Sequence, residues 1–168
     1  LPTWDMGTVG GQSANLTEQI IANLFQDHLD NRVAAGELAL VDSWTDTWWE
    51  EQRLRFFGFG FSAGDEADGL NNVLKELRFL EEAGFSKTAV EEAKEDHRAS
   101  LDQFLASAAT ITDDEYAENY VWHYLAGVAA DGPESAYARL SSTLDNLTTE
   151  GLNNHFRWIM GQVAPLVL

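Results

Sequence analysis

The sequence has no cysteine among its 168 residues and only three prolines. Without cysteine the chain can form neither a disulfide nor a thiolate zinc site, and thiol-based catalysis is excluded. The absence leaves the cellular compartment open. We favour a periplasmic or cell-envelope location over a cytoplasmic one.

Positive charge is also scarce, with 10 Lys and Arg against 28 Asp and Glu, for a formal net charge of −18. Such a surface repels the phosphates of nucleic acid and of anionic lipid, so nucleic acid is not an expected partner. No apolar run approaches the roughly 20 residues that a membrane-spanning helix needs. We therefore expect no membrane insertion.

The sequence does have enough apolar material for a packed core: 45% of the residues are hydrophobic and 11% are aromatic. This length and composition predict one domain spanning residues 1–168. The first residue is Leu1 and not a methionine, so we expect this domain to be a piece of a longer chain.

Apolar periodicity predicts a long helix followed by two strands. The helix is expected to begin at Asn15, with Glu18 completing its cap, and to run to about Ala35. Alternating residues then predict an antiparallel hairpin with strands 38–45 and 53–62. The first strand should present Leu38, Leu40, Asp42 and Trp44 on one face, and the second should present Phe57, Phe59 and Phe61.

The remainder has the period of helices, punctuated by caps and glycines. We predict five further helices: from about Leu70 to Gly84, Ser86 to about Ala109, Thr112 to Gly127, Pro133 through Leu144, and Thr148 onward. Strands followed by a run of helices give an α+β fold, with a small antiparallel sheet packed against about six helices. Because an isolated hairpin is marginally stable, residues around Trp4 are expected to add a strand, or absent sequence completes the sheet.

The four histidines are His28, His97, His123 and His155, and none has the helical spacing of a zinc-ligand pair. We therefore predict that this chain supplies no metal ligand and no catalytic residue. His97 lies on the apolar stripe of its helix and is expected to be a half-buried core residue.

A serine hydrolase is the sharpest enzymatic alternative. Residues 60–64 read Gly-Phe-Ser-Ala-Gly, which matches the nucleophile-elbow pattern and would make Ser62 the nucleophile. That elbow belongs to a multi-stranded parallel sheet, which this chain is too short and too helical to build. Asp65, Glu66 and Asp68 would also repel an oxyanion at this turn.

Several stretches, taken in order, resemble a module of the insulinase/pitrilysin family of zinc peptidases. Helix 15–32 followed directly by the strand pair 38–62 is similar to the family's long helix and β-hairpin. Residues 81–94 resemble its junction GFT-x-x-E-(L/V)-x-x-A-K. Residues 111–127 resemble its next helix, and residues 147–153 its closing (I/L)T-x-E-x-(V/L)-N motif.

The resemblance implies the later two thirds of a module with the fold of LuxS and the mitochondrial processing peptidase. In this family two homologous halves enclose a chamber, and zinc is bound only where His-x-x-Glu-His occurs. That motif is absent here, so the resemblance implies a non-catalytic, chamber-forming and substrate-contacting module of a bacterial zinc metallopeptidase. The expected partners are the other modules of that peptidase and its peptide substrate, with zinc held elsewhere in the parent protein.

The resemblance also implies one substrate-contacting residue. Some family modules carry an arginine, followed a few residues later by a tyrosine, that holds substrate near the zinc. Arg32 matches the arginine, whereas Ala39, Leu40 and Val41 stand where the tyrosine would be.

The alternative from another class of function is a stand-alone acidic binding protein, an inactive relative of these peptidases.

Overall fold

The computed structural model describes residues 7–50, 54–127 and 131–162, and these form an α+β fold. A two-stranded antiparallel hairpin follows the first of six helices, and the other five helices come after it. The elements are α1 (Val9–Ala34), β1 (Leu40–Glu50), β2 (Leu54–Ala63), α2 (Glu66–Ala83), α3 (Lys87–Ser107), a 3-10 turn (Ala108–Thr110), α4 (Asp113–Ala126), α5 (Pro133–Asn146) and α6 (Thr149–Gln162).

Helix α1 is longer than its sequence pattern predicts. Its N-cap is Thr8, whose hydroxyl accepts a hydrogen bond from the Gly11 backbone N–H at 3.1 Å. The predicted start at Asn15 is wrong, because α1 begins at Val9, nearly two helical turns before Asn15. The predicted end is confirmed: α1 stops at Ala34, and Gly36 takes the left-handed conformation with φ of 73°.

A β-bulge in β1 changes which side chains lie on each face of the strand. Leu40 pairs with Ala63 and Asp42 with Ser62, so Val41 is an extra residue opposite the partner strand. The predicted common face of Leu38, Leu40, Asp42 and Trp44 is therefore wrong beyond the bulge: Leu38 and Leu40 are buried, whereas Trp44 is half exposed. The hydroxyl of Thr45 instead reaches α1 and donates to the Ala22 carbonyl at 2.6 Å.

The hairpin itself agrees with the prediction, although β1 continues through Glu50 where its end was expected at residue 45. On β2, Phe57, Phe59 and Phe61 pack against the core as predicted. Phe25 of α1 meets the rings of Phe57 and Phe59 at centroid distances of 6.4 and 6.0 Å. The strand considered near Trp4 lies outside the described residues.

The core is built around α1, which contacts the hairpin and helices α2, α3, α5 and α6. The large apolar side chains of the core that are fully buried are Ile20, Ile21, Phe25, Leu29, Val73, Val90, Leu144, Leu152, Phe156 and Ile159. Apolar side chains at helical spacing on several helices thus share one cluster. Among the described residues, no helix combines the length and apolarity that crossing a bilayer requires.

The predicted end of α2 at Gly84 is confirmed, but α2 begins at Glu66 with Asp65 as its N-cap, so its predicted start near Leu70 is wrong. The predicted starts of the four later helices are confirmed at their caps. Ser86 caps α3, Thr112 and Glu115 form the capping box of α4, and Pro133 occupies the first turn of α5. The hydroxyl of Thr148 accepts the Gly151 N–H at 3.0 Å at the start of α6. Each of these signals acts within three or four residues, which is why the sequence reveals them.

Candidate functional site

The structure places Arg32, the predicted substrate contact, in the last turn of α1. Its Nη2 donates to Glu76 Oε1 at 3.1 Å, and its Nη1 donates to the carboxylate of Glu37. The side chain is 40% exposed, so part of the guanidinium faces solvent. Its Nε is buried and has no hydrogen-bond partner among the described residues, so a second acceptor has to bind the remaining N–H groups of Nη1 and Nη2.

His28 lies one turn earlier on the same face of α1. Its Nε2 is 2.6 Å from Glu76 Oε2, so the two oxygens of this carboxylate bind two different cationic or donor groups of α1. Glu76 is buried on α2, where an unpaired charge would be costly. The contacts to His28 and Arg32 supply the compensation.

Phe79 adds an aromatic surface to this group. It lies one turn after Glu76 on α2, and its ring stacks on His28 with centroids 6.1 Å apart and an interplanar angle of 19°. The ring is 56% exposed. We call His28, Arg32, Glu37, Glu76 and Phe79 the α1–α2 cluster; it presents both a guanidinium and an apolar ring to solvent.

Sequence reasoning identified Arg32 but missed the other members of the cluster. The spacing of His28 and Arg32 by four residues marks one helix face, which a closer inspection could have found. No sequence pattern identifies Glu76 as a member of the cluster, because it lies on a different helix, 44 residues after Arg32. Only the packing of the two helices brings Glu76 to Arg32.

Ser62 lies within β2, where it is exposed and pairs with Asp42 of β1. β2 continues through Ala63, so Ser62 is a strand residue and not the apex of a strand-to-helix turn. The described sheet has two antiparallel strands, which is not the parallel sheet of a nucleophile elbow. The nucleophile role of Ser62 stays a prediction that this placement does not favour.

Three histidines bind different partners in different parts of the fold. His28 binds Glu76, His155 Nε2 lies 3.2 Å from Glu18 Oε1, and His97 Nε2 lies 3.1 Å from Asn23 Nδ2. Within residues 7–50, 54–127 and 131–162, no three His, Cys, Asp or Glu side chains gather as metal ligands would.

His97 borders a small cavity of about 170 Å³ between α1 and α3, together with Asp27 and Asp96. Burial lowers the pKa of His97, and the nearby Asp96 opposes this only in part. The pKa of Asp27 is raised, first by burial and then by the charges of Asp30 and Asp96. A neutral imidazole therefore fits this position, because Asn23 Nδ2 can only donate and Nε2 must accept.

The fold is similar to parts of three solved protease structures. The first half of the periplasmic protease PqqL from Escherichia coli matches with a TM-score of 0.80 and 16% identity, over 92% of this chain and 34% of that one. The periplasmic protease PqqL itself matches with a TM-score of 0.79 and 17% identity, over 91% of this chain and 17% of that one.

A predicted insulinase family protease from Yersinia pestis matches with a TM-score of 0.78 and 16% identity, over 95% of this chain and 35% of that one. No protein-family model matches the sequence, and neither does any curated protein. The chain spans about a third of each of the two shorter structures. The resemblance to insulinase/pitrilysin-type peptidases that the sequence predicts is thus confirmed at the level of the fold.

Proposed function

We propose that this chain is a non-catalytic module of a bacterial insulinase/pitrilysin-like zinc metallopeptidase, helping to form the chamber and to contact substrate. The observation that carries the proposal is the similarity of nearly the whole chain to part of PqqL and of the Yersinia pestis protease. The sequence has no His-x-x-Glu-His. Zinc in this proposal is therefore bound by another module of the parent protein.

At finer detail, we propose the LuxS/mitochondrial-processing-peptidase-like fold and assign this chain to the later two thirds of one such module. The support is the hairpin, which packs one face on the core through Phe57, Phe59 and Phe61, the first two against Phe25 of α1. Among the described residues, no third strand pairs with β1 or β2. Since two-stranded sheets are marginal in water, we expect further strands from a longer parent chain.

Arg32 is the proposed substrate contact. Its guanidinium is positioned by Glu37 and Glu76, and its side chain remains partly exposed. Phe79 of the same cluster is also exposed. A backbone carbonyl or a carboxylate of a bound peptide can accept from the exposed N–H groups, while Phe79 offers apolar contact to a neighbouring side chain. The parent protein's other modules and the peptide are thus the proposed partners.

PqqL is described as periplasmic, and we propose a periplasmic or cell-envelope location for this chain.

The first experiment incubates the chain with unstructured fluorogenic peptides and added zinc. No hydrolysis is expected, because the proposal places the metal-binding motif outside this sequence. Hydrolysis that requires zinc contradicts the proposal. Hydrolysis that is independent of zinc and is abolished by Ser62→Ala supports the serine hydrolase instead.

The second experiment uses the parent peptidase that contains this chain. Arg32→Ala is expected to raise KM about tenfold with a smaller change in kcat, since it removes a contact to bound peptide. Arg98→Ala is the matched control, because Arg98 of α3 is as exposed as Arg32 and is also paired with a carboxylate, that of Asp145. Equal kinetics for both variants at equal thermal stability contradict the assignment of Arg32.

A further inference from the structure

Helix α4 is the one element whose described side chains are all exposed. Among them are five large apolar or aromatic residues, with exposures of 39% for Tyr116, 64% for Tyr120, 52% for Val121, 87% for Tyr124 and 62% for Leu125. We call these five residues the α4 surface. No described helix or strand packs extensively against α4.

The residues of the α4 surface form two adjoining stripes. Tyr116, Tyr120 and Tyr124 follow at intervals of four residues, so their rings succeed one another along one side of the helix. Val121 and Leu125 form a second stripe beside them. An apolar face of this width on a helix ordinarily packs against something.

Helix α4 is stabilised by local interactions at its two ends. Thr112 and Glu115 form a complete capping box, in which the hydrogen bonds from Thr112 lower the pKa of Glu115. The first turn contains Asp113, Asp114 and Glu115. Carboxylates there stabilise the helix by interacting with the positive end of its dipole. Gly127 closes the helix in the left-handed conformation, with φ of 64°. The helix is therefore formed although no described helix or strand packs extensively on its aromatic face.

The charge around the α4 surface is of one sign. Residues 113–126 include Asp113, Asp114, Glu115 and Glu118 and no lysine or arginine. Asp113 continues the tyrosine stripe, being three residues before Tyr116. Aromatic faces and carboxylates both attract arginine and lysine side chains. A second copy of this chain, also at −18, is disfavoured by like-charge repulsion.

We propose that the α4 surface binds a cationic peptide that carries apolar side chains, supplied in trans as a substrate of the peptidase. The carboxylates of the first turn and the tyrosine rings bind its arginine or lysine groups, while Val121 and Leu125 cover its apolar side chains. This inference rests on the proposed function and narrows the substrate class to basic peptides.

The experiment measures fluorescence anisotropy of two labelled 12-residue peptides titrated with the chain. One peptide alternates Arg and Leu, and the other alternates Glu and Leu. The Arg–Leu peptide is expected to bind, and the Glu–Leu peptide is expected to bind at least about tenfold more weakly, because its charge has the same sign as the first turn of α4.

Substitutions on α4 identify the surface. Tyr120→Ser combined with Tyr124→Ser is expected to weaken Arg–Leu binding about tenfold, since each lost ring removes a cation–π and an apolar contact. Val41→Ser is the control for loss of an exposed apolar side chain, as Val41 is 79% exposed on β1. Asp113→Asn with Asp114→Asn should weaken binding at low salt, while Glu92→Gln of α3 should not. Circular dichroism checks that each variant stays folded.

Four outcomes of the experiments on this chain overturn the inference, and a fifth comes from the parent peptidase. They are equal binding of the two peptides, no binding of either, binding unaffected by the α4 substitutions, and self-association of the chain that the tyrosine substitutions abolish. In the parent peptidase, tyrosines of α4 that resist nitration without peptide would indicate cover by a neighbouring module, which also overturns it. Mass spectrometry of the same peptide after incubation with zinc tests the non-catalytic assignment separately, since peptide can bind without being cleaved.

Discussion

Glu18 of α1 and His155 of α6 form a hydrogen bond inside the fold, with His155 Nε2 donating to Glu18 Oε1 at 3.2 Å. Glu18 has no exposed surface, and His155 is about one fifth exposed. The ring of His155 in turn contacts Trp158, with centroids 5.3 Å apart. A residue that the sequence pattern assigned to a surface cap is thus a buried carboxylate that joins the first and last helices.

We predict that His155→Ala destabilises the fold by about 3 kcal/mol, because the buried carboxylate of Glu18 loses this donor. The free energy of unfolding, measured by urea denaturation, checks this. Glu18→Gln combined with His155→Ala should recover part of the loss, since a neutral amide is less costly to bury than a carboxylate. Losses for His155→Ala no larger than those for the exposed Asn154→Ala would contradict the assignment.

Asn153 is predicted to be essential for the turn between α2 and α3. Its side-chain amide accepts the Phe85 N–H at 2.8 Å and donates to the Phe85 carbonyl at 3.1 Å. Asn153→Ala should cost about 2–3 kcal/mol of unfolding free energy, because two backbone groups of a buried residue lose their partner. The neighbouring Asn154→Ala removes only a contact to Arg157 and is the matched control. Thermal unfolding of both variants makes the comparison.

Stability is predicted to fall as the pH decreases below about 6.5, the ordinary pKa of histidine, because of His97. Its pKa is lowered in the folded state by burial, so the unfolded chain binds the proton more tightly. The contribution is complete above the unfolded pKa and is lost as the pH decreases toward the folded pKa. Protonation also turns Nε2 into a donor facing the Asn23 amide. His97→Gln should flatten this part of the curve of unfolding free energy against pH, and an unchanged slope would count against it.

Gly60→Ala is predicted to destabilise the hairpin by about 1 kcal/mol. The indole of Trp44, the cross-strand partner of Gly60, occupies the space that a β-carbon at this position would take. The ring would have to leave the sheet surface, and its contact area with the strand would be lost. Gly64→Ala is the control, since nothing lies within 4 Å of a β-carbon there. Tryptophan fluorescence together with thermal unfolding reports both effects.

The motif at residues 147–153 shows how a sequence resemblance acquires a physical reason. Thr148 caps α6, Leu152 is buried, and Asn153 secures the Phe85 backbone beside Gly84. Gly84 has a positive φ of 75°, and a β-carbon there would meet the Asn153 side chain at 2.7 Å. Two separate stretches of the resemblance thus meet in space, which neither stretch could reveal alone.

The sequence by itself determined the α+β class and the starts of helices α3 to α6, but not the start of α2 at Glu66. Caps such as Thr112 with Glu115, and stops such as Gly84 and Gly127, act between residues three or four apart. Only the tertiary structure decided the bulge at Val41, the burial of Glu18, and the pairing of Arg32 with Glu76. Those outcomes depend on which side chains from distant elements pack together, and local spacing carries no information about that choice.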